Sequence, residues 1–360
     1  MTIVDVGLQG RPVERAEVKE DERPDYKNGK RNGFGIPRDF VPMEFHDLII
    51  AQFVKVCFAV YSCSMRRLMT IIAICCLTAA ASAPAVWAKT VKPAVKTPVP
   101  VNNETAPTVS AVSYIVIDKV SGKVLAESNA DTVLRLASLT KLMTVNLVLS
   151  RKVPLTRLQP ITVADQVGGS RLGVKAGTKF TVNDLFYATL LPSANDAANA
   201  LADSTKLSRQ KFVADMNATA KALGLKHTVF TEPTGIDDGN VSTAREFARL
   251  AQSVFGQAAF RRYDCVAKRT IYERPSWKKI VLKNSDHLLT KPQYDDVLVS
   301  GGKTGYLGPD GGWNLAVELK SANGASRELT VVLMGEPMLA TSEADAHTLA
   351  QWAWKHYNWK

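Results

Sequence analysis

The spacing of hydrophobic positions changes along the chain and divides it into segments. Residues 1–64 begin with a long polar stretch rich in charge, glycine and proline, which is typical of a disordered extension. From Met65 the chain carries two arginines, an apolar run and a small-residue ending at Ala88. These are the three parts of a secretory signal peptide, and the run is short for a membrane span, which needs about 20 residues. We therefore predict a signal peptide over 65–88.

A signal peptide normally stands at the start of a chain, so residues 1–64 have two explanations. Either translation begins at Met65, or these residues form a cytoplasmic arm in front of an uncleaved anchor. Residues 89–108 are rich in Val, Pro, Thr and Lys without a helical period, which predicts a flexible tether. The folded domain is expected over 109–360, roughly 250 residues, which is enough for one sizeable core.

Within the folded domain, stretches with the period of strands lie at both ends and stretches with the period of helices lie between them. The predicted strands are 111–118, 123–127, 297–301, 313–319 and 328–334. The predicted helices are 138–150, 181–191, 196–203, 208–223, 242–254 and 341–354, and the glycine-rich stretch 163–180 is predicted as surface loops or a small hairpin. This order favours an α+β architecture in which both ends of the domain share one sheet.

Composition and charge exclude several classes of protein. With 46% hydrophobic and 22% charged residues, the chain is not collagen-like, wholly disordered or a multi-span membrane protein. Its formal net charge of +11 suits a polyanionic neighbour such as nucleic acid, anionic lipid or a cell-wall polymer. A nucleic-acid role is not expected behind a signal peptide. Only Cys265 lies after residue 88, so no internal disulfide is expected, and the histidines lack metal-ligand spacing.

Ser138 and Lys141 stand three residues apart at the start of an apolar helical segment. Residues at this spacing share a helix face, so the hydroxyl and the amine can meet. A serine becomes a nucleophile when a base takes its proton, and a lysine can be that base when burial or a neighbouring cation lowers its pKa. Ser-x-x-Lys occurs four times in the chain, however, and an isolated copy is more typical of an N-cap serine with a solvated lysine.

A second motif, Ser193-Ala194-Asn195, follows the helix-ending Pro192 and precedes a new helix. A hydroxyl and a carboxamide in such a short loop can relay a proton to a leaving amine and hold a substrate amide. Taken alone, the same sequence is also typical of a turn or an N-cap.

A third motif, Lys303-Thr304-Gly305-Tyr306, ends a predicted strand. Lys303 and Thr304 can hold an anion, Gly305 lets a ligand backbone approach the strand, and the Tyr306 N–H can donate to an oxyanion. Only the Ser138 motif is followed by a Ser-x-Asn that itself precedes Lys-Thr-Gly. This order, with the motifs at a helix start, an inter-helix loop and a strand end, predicts one shared cleft.

The three motifs in this order resemble the serine D,D-peptidases, the low-molecular-mass penicillin-binding proteins, which share them with class A β-lactamases. The resemblance extends over most of 109–360 and includes the runs 135–144, 232–235 and 242–245. It is closest to the D-alanyl-D-alanine carboxypeptidase and endopeptidase branch, and the short sequence after Gly305 is similar to the endopeptidases. The fold it implies is α+β: an antiparallel sheet flanked by helices, with a second, mostly helical region.

By this resemblance, the chain is a cell-envelope hydrolase, periplasmic or secreted, that cleaves D-Ala-D-Ala peptides of peptidoglycan and is inhibited by β-lactams. Ser138 would attack the carbonyl, Lys141 would take its proton and Ser193 would relay a proton to the leaving amine. The implied substrate-binding residues are Asn195, Lys303, Thr304, Gly305 and Tyr306. No metal or organic cofactor is implied, and membrane contact is expected only through an uncleaved signal segment.

Two other functions remain open at this point. A class A-like β-lactamase needs an added carboxylate in a Glu-x-x-Leu-Asn loop between the second and third motifs, and no such run lies between Asn195 and Lys303. A non-catalytic peptidoglycan-binding protein would use the basic surface instead, although all three motifs are intact.

Overall fold

In the computed structural model, residues 95–322 and 327–359 are described. The predicted polar extension 1–64 and signal peptide 65–88 lie outside these residues. The strands are β1 Val99–Pro100, β2 Ser113–Asp118, β3 Val124–Ser128, β4 Leu134–Arg135, β5 Leu158–Pro160, β6 Lys179–Thr181, β7 Val241–Ser242, β8 Lys268–Tyr272, β9 Lys279–Lys283, β10 Val297–Tyr306, β11 Trp313–Ser321, β12 Leu329–Glu336 and β13 Tyr357–Asn358. The helices are α1 Lys141–Ser150, α2 Val182–Leu190, α3 Asn195–Asp203, α4 Arg209–Ala222, α5 Ala244–Phe255, α6 Ala258–Asp264 and α7 Leu339–His356.

A five-stranded antiparallel sheet organises the domain, with strand order β10-β11-β12-β2-β3. Its central strands come from opposite ends of the domain, because β2 pairs with β12 from Ser113↔Met334 to Asp118↔Leu329. The expectation that both ends share one sheet is confirmed, and so is the α+β class.

Both faces of the sheet are covered, which explains why β2 is buried along its whole length. Tyr114 and Val116 belong to one apolar cluster with the inner side of α7, including Leu349. Ile115 and Ile117 belong to a second cluster that continues into the helical region of α1 to α5. Strands covered on both faces read as nearly continuous apolar runs rather than strict alternation.

The predicted helix positions agree with the structure to within a few residues. Thr181 caps α2 by accepting a hydrogen bond from the Asp184 N–H at 3.0 Å. The predicted start at Ser242 is wrong by one residue, because Ser242 lies in β7 and Thr243 is the N-cap of α5. Helix α6 and the hairpin of β8 and β9 were not predicted.

Part of the predicted tether is a paired strand. β1 pairs antiparallel with β13, with Val99 opposite Asn358, and Lys123 Nζ donates to the Pro98 carbonyl oxygen at 2.7 Å. The segment around residues 98–100 is therefore held against the last strand of the domain. Among the described residues, no helix combines the length and the apolar character needed to cross a membrane.

Candidate active site

The first motif lies where a 3-10 turn, Ala137–Thr140, runs into α1. Lys141 is the first residue of α1 and is completely buried. Its Nζ donates to Ser138 Oγ at 2.7 Å, so the hydroxyl and the amine meet as the spacing predicted. The buried side chains of Leu142 and Val145 fix α1 in the core and so fix the position of this pair.

Lys141 has two further hydrogen-bond partners, both far away in sequence. Its Nζ donates to Asn195 Oδ1 at 2.6 Å and to the Thr234 carbonyl oxygen at 2.7 Å. Burial, and next the positive charge of Lys303, lower the pKa of Lys141 well below its ordinary value, against the opposing charges of Glu232 and Asp196. A lysine with a lowered pKa can accept the proton of a serine hydroxyl.

The second motif forms a tight turn between α2 and α3. Ser193 has a φ of +62°, a left-handed conformation that side chains other than glycine rarely adopt. Asn195 begins α3, where its Oδ1 accepts from Lys141 and its Nδ2 donates to the Gly168 carbonyl oxygen at 2.6 Å. An amide nitrogen carries two hydrogens, so Nδ2 retains one donor toward the cleft.

The third motif closes the site from the end of β10. Lys303 is buried, and its Nζ donates to Ser193 Oγ at 2.9 Å and to the Thr304 carbonyl oxygen at 2.8 Å. The Thr304 hydroxyl lies 2.6 Å from the Ser285 hydroxyl. A Cβ atom at Gly305 would lie 3.3 Å from Ser138 N and 3.1 Å from the Leu136 carbonyl oxygen, so the close approach of β10 to Ser138 favours glycine.

A buried carboxyl group acts on Lys303. Burial lowers the pKa of Lys303 to about 7, and the charge of Asp286 opposes that shift. Asp286 is itself buried, and burial together with the charge of Glu343 raises its pKa to about 7. Asp286 and Lys303 therefore both titrate near pH 7. The fraction of Lys303 that carries a positive charge is for this reason sensitive to pH near neutrality.

The three motifs meet at one cleft of about 330 Å³. Six of the eight predicted site residues line it, namely Ser138, Ser193, Asn195, Thr304, Gly305 and Tyr306. Lys141 and Lys303 lie beneath it, in hydrogen-bond contact with Ser138 and Ser193. The remaining walls are formed by Gly169, Ser170, Pro192, Gly235, Ile236, Ser285 and Trp313.

Sequence reasoning assigned no role to the loop 232–240, although it supports the first motif. The Glu232 carboxylate accepts hydrogen bonds from Thr234 N at 2.8 Å, from Thr234 Oγ1 at 2.7 Å and from Asn240 Nδ2 at 2.8 Å. Gly235 has a φ of +87°, and a Cβ there would lie 1.7 Å from the Ala137 carbonyl oxygen. In the sequence, the only indication that residues 232–235 matter is that they belong to the runs that carry the family resemblance.

Comparison with known proteins agrees with this geometry. The model of the D-alanyl-D-alanine carboxypeptidase family matches residues 100–337. The chain belongs to this family. It is similar to a D-alanyl-D-alanine endopeptidase of Pseudomonas aeruginosa, with 34% identity over 198 residues that cover 54% of this chain and 64% of the relative. It is also similar to the D-alanyl-D-alanine carboxypeptidase DacA of Escherichia coli, with 34% identity over 267 residues that cover 70% and 62% of the two chains.

Among solved structures, a Streptomyces DD-transpeptidase superposes with a TM-score of 0.63 at 27% identity, covering 70% of this chain and 100% of that chain. The fold expected from the resemblance is thereby confirmed. The chain spans less than two thirds of the length of the curated endopeptidase and carboxypeptidase relatives named above.

Proposed function

We propose that the protein is a serine-type D-Ala-D-Ala peptidase that acts on peptidoglycan stem peptides through an acyl-enzyme on Ser138. The observation that carries the proposal is the buried Lys141 amine, 2.7 Å from Ser138 Oγ, in a cleft whose other side holds the Ser193–Lys303 contact. Membership of the D-alanyl-D-alanine carboxypeptidase family supports the same reaction.

In the proposed reaction, Ser138 Oγ attacks the carbonyl carbon between two D-alanines while Lys141 Nζ takes the hydroxyl proton. The C–N bond then breaks, and Ser193 relays a proton to the leaving amine. Water attacks the resulting ester, which releases the shortened peptide and restores Ser138. Backbone N–H groups of Ser138 and Tyr306 stabilise the oxyanion, and each such donor is typically worth about 3–4 kcal/mol in acyl transfer.

The substrate carboxylate is placed against Lys303 and Thr304, with Asn195 donating to the substrate amide. Burial and mutual repulsion of the two lysines favour loss of a proton from Lys141, which the base role requires. An incoming carboxylate adds a negative charge beside Lys303 and so favours its cationic form. Binding of the substrate thus assigns the two lysines different protonation states.

The carboxylates near the cleft favour a peptidase over a β-lactamase. Glu232 is occupied by hydrogen bonds from its own loop, and the Leu172 N–H is shared between the two carboxylate oxygens of Asp196, each at 3.0 Å. Neither lines the described cleft. With no free carboxylate there to activate water, a penicillin acyl-enzyme on Ser138 is expected to persist, which makes β-lactams inhibitors rather than substrates.

The site of action that fits this substrate is the bacterial cell envelope, periplasmic or secreted. The apolar segment 65–88 would direct the chain there as a signal peptide, with 89–108 between it and the catalytic domain 109–360. The family membership supports this location, because peptidoglycan lies outside the cytoplasmic membrane.

The test is to incubate the protein with a pentapeptide monomer and with a cross-linked muropeptide dimer. Release of free D-alanine from the monomer measures carboxypeptidase activity, and conversion of dimer to monomers measures endopeptidase activity. A fluorescent penicillin is expected to label the protein covalently and to fail with Ser138→Ala. Labelling of Ser138→Ala, or rapid turnover of nitrocefin by the unaltered chain, would contradict the proposal.

A further inference from the structure

The hairpin of β8 and β9 carries a dense positive charge that the active site does not use. Residues 268–283 contain six Lys or Arg residues and one acidic residue, Glu273. Lys268, Lys279 and Lys283 are exposed, and within the described residues no carboxylate forms an ion pair with any of them. Some exposed cations elsewhere in the fold do have such a partner, as Lys211 has in Asp215.

The register of the hairpin gathers these charges on one face. Lys268 lies opposite Lys283 and Tyr272 opposite Lys279, while the intervening pair carries Val281. Side chains two positions apart on a strand share a face, so all five project from the same side. Two like charges directly opposite each other destabilise a strand pair, and an external anion would relieve that repulsion.

Large apolar side chains are exposed among these cations. Trp277 at the tip is 63% exposed, Val281 is 46% exposed and Tyr272 is 41% exposed. The Arg274 guanidinium lies over the Trp277 ring, 3.5 Å from its centroid. The opposite face is fixed to the domain by Ile271 and Leu282, both buried. We call the outer surface formed by Lys268, Tyr272, Trp277, Lys279, Val281 and Lys283 the hairpin face.

We propose that the hairpin face binds the surface of an anionic phospholipid bilayer. Lysines are attracted by the anionic head groups. Trp and Tyr are favoured at the level of the head groups, because the apolar ring can face the acyl chains while the N–H or O–H group stays hydrated. A hydrated anionic wall polymer would use the lysines but would gain little from an exposed Val281. The combination of both kinds of side chain therefore favours the bilayer.

The hairpin face adds a membrane contact to the one expected from an uncleaved signal segment. It is also close to the cleft in sequence, since β9 ends at Lys283 and Ser285 contacts the Thr304 hydroxyl at 2.6 Å. A bilayer held under the hairpin would fix the orientation of the cleft relative to the membrane plane.

Residues 91–360 suit the test because they avoid the apolar segment 65–88. This part of the chain forms one compact unit. Its apolar clusters, together with the side chains packed on them, come from residues 106–359. The Streptomyces DD-transpeptidase, whose whole chain is covered by the superposition, shows that a chain of this extent folds.

The experiment measures co-sedimentation of residues 91–360 with vesicles of phosphatidylglycerol and phosphatidylcholine in equal parts, and with phosphatidylcholine alone. Binding is expected only to the anionic vesicles and is expected to weaken with salt. Lys268→Gln/Lys279→Gln/Lys283→Gln should lower partitioning roughly 100-fold, because each cation near an anionic surface is worth about a fivefold change. Trp277→Ser/Val281→Ser should lower it by about tenfold at low salt.

A matched control removes three exposed lysines elsewhere, as Lys221→Gln/Lys226→Gln/Lys320→Gln, and should leave partitioning within about threefold of the unaltered protein. Fluorescent penicillin labelling reports that every variant is folded. Equal losses in the control and the hairpin lysine variant would overturn the proposal in favour of net charge alone. No effect of Trp277→Ser/Val281→Ser, or binding to isolated sacculi without binding to anionic vesicles, would overturn it in favour of a polymer.

Discussion

The Nζ atom of Lys303 lies 2.9 Å from Ser193 Oγ, which places a buried cation in direct contact with a serine in a strained backbone conformation. A left-handed φ costs an L-residue about 1–2 kcal/mol. Here the helix-ending Pro192 before Ser193 and the first turn of α3 after it define the turn. The flanking structure maintains this conformation and so holds the Ser193 hydroxyl at the meeting point of the second and third motifs.

Replacement of Ser193 by glycine should separate activity from stability. Ser193→Gly removes the proposed relay hydroxyl and relieves the positive φ, so peptide cleavage should fall roughly 10²–10³-fold while unfolding free energy stays equal or rises by up to about 1 kcal/mol. Steady-state cleavage of a pentapeptide and denaturant unfolding measure the two quantities. Ser193→Ala is the control, since it loses the hydroxyl and keeps the strain; a Ser193→Gly enzyme with full activity would argue against the relay.

Replacement of Lys141 should abolish acylation whatever charge the new residue carries. Lys141→Arg keeps a cation that cannot be deprotonated and Lys141→Met removes the charge, so both should slow labelling by fluorescent penicillin roughly 10³-fold or more. The measurement is the second-order labelling rate. If Lys141→Arg retained near-normal labelling, the role of Lys141 would be that of a fixed charge and not that of a base.

The pH dependence of acylation should report on Lys303. Its pKa of about 7 means that the cation is lost as the pH rises through neutrality. Capture of a carboxylate-bearing penicillin should therefore weaken, and the labelling rate should fall, on the alkaline side of the pH profile. Asp286→Asn removes the charge that raises the pKa of Lys303, so the decrease in labelling rate should begin at lower pH. Labelling rates between acidic and alkaline pH measure the shift.

Asp264→Asn is the control for the Asp286 variant. Asp264 is a second buried carboxyl beside β10, with its Oδ2 3.4 Å from Gly302 N, and its charge is not among those that shift the pKa of Lys303. The falling limb should stay in place in Asp264→Asn. Equal shifts in the two variants would show that the profile follows general damage to β10.

Gly235 should be required for the position of Ser138. In Gly235→Ala the new Cβ would lie 1.7 Å from the Ala137 carbonyl oxygen, so the turn that carries Ser138 must move. Penicillin labelling should fall at least about tenfold, in addition to a stability loss of about 1–2 kcal/mol from the positive φ. Gly224→Ala is the matched control, because Gly224 also has a positive φ, of +73°, but no atom lies within 4 Å of a Cβ placed there. This variant should lose stability without losing penicillin labelling.

Stability should fall as the pH rises from acid to neutral because of buried Glu336. Burial, and next the charge of Asp345, raise the pKa of Glu336 to about 7 from an ordinary value near 4.5. A carboxyl with a raised pKa stabilises the fold fully below its unfolded pKa and loses that contribution as the pH rises through its folded pKa. Glu336→Gln should reduce the loss between pH 5 and 8 by about 1–2 kcal/mol, whereas exposed Glu104→Gln should not.

The meeting of the three motifs at one cleft could be predicted from the sequence because the signals of the motifs are local. The spacing of Ser138 and Lys141 on one helix face, the short loop at Ser193 and the strand end at Lys303 each predict a placement, and their order restricts them to one cleft. Local helix signals were equally readable, as the Thr181 cap of α2 shows.

The residues that the sequence did not reveal act through contacts between distant parts of the chain. Thr234 reaches Lys141 through a backbone carbonyl, which any residue type could supply. Asp286 lies in an irregular segment, and nothing in the sequence shows that it is buried beside Lys303. The β8–β9 hairpin escaped prediction because its strands do not alternate strictly between apolar and polar residues. The inner face of the hairpin carries Arg269, while the exposed outer face carries Tyr272 and Val281.

The pairing of β1 with β13 has a mechanical consequence. Force transmitted along the segment before Val99 meets a ladder of two residues on each strand before it reaches β2 and the five-stranded sheet. Because this ladder is much shorter than those of the five-stranded sheet, we expect it to open under tension before the sheet that carries Lys303 does. Tension on the leading segment would then be released at β1 and β13 before it reached the turn that carries Ser138.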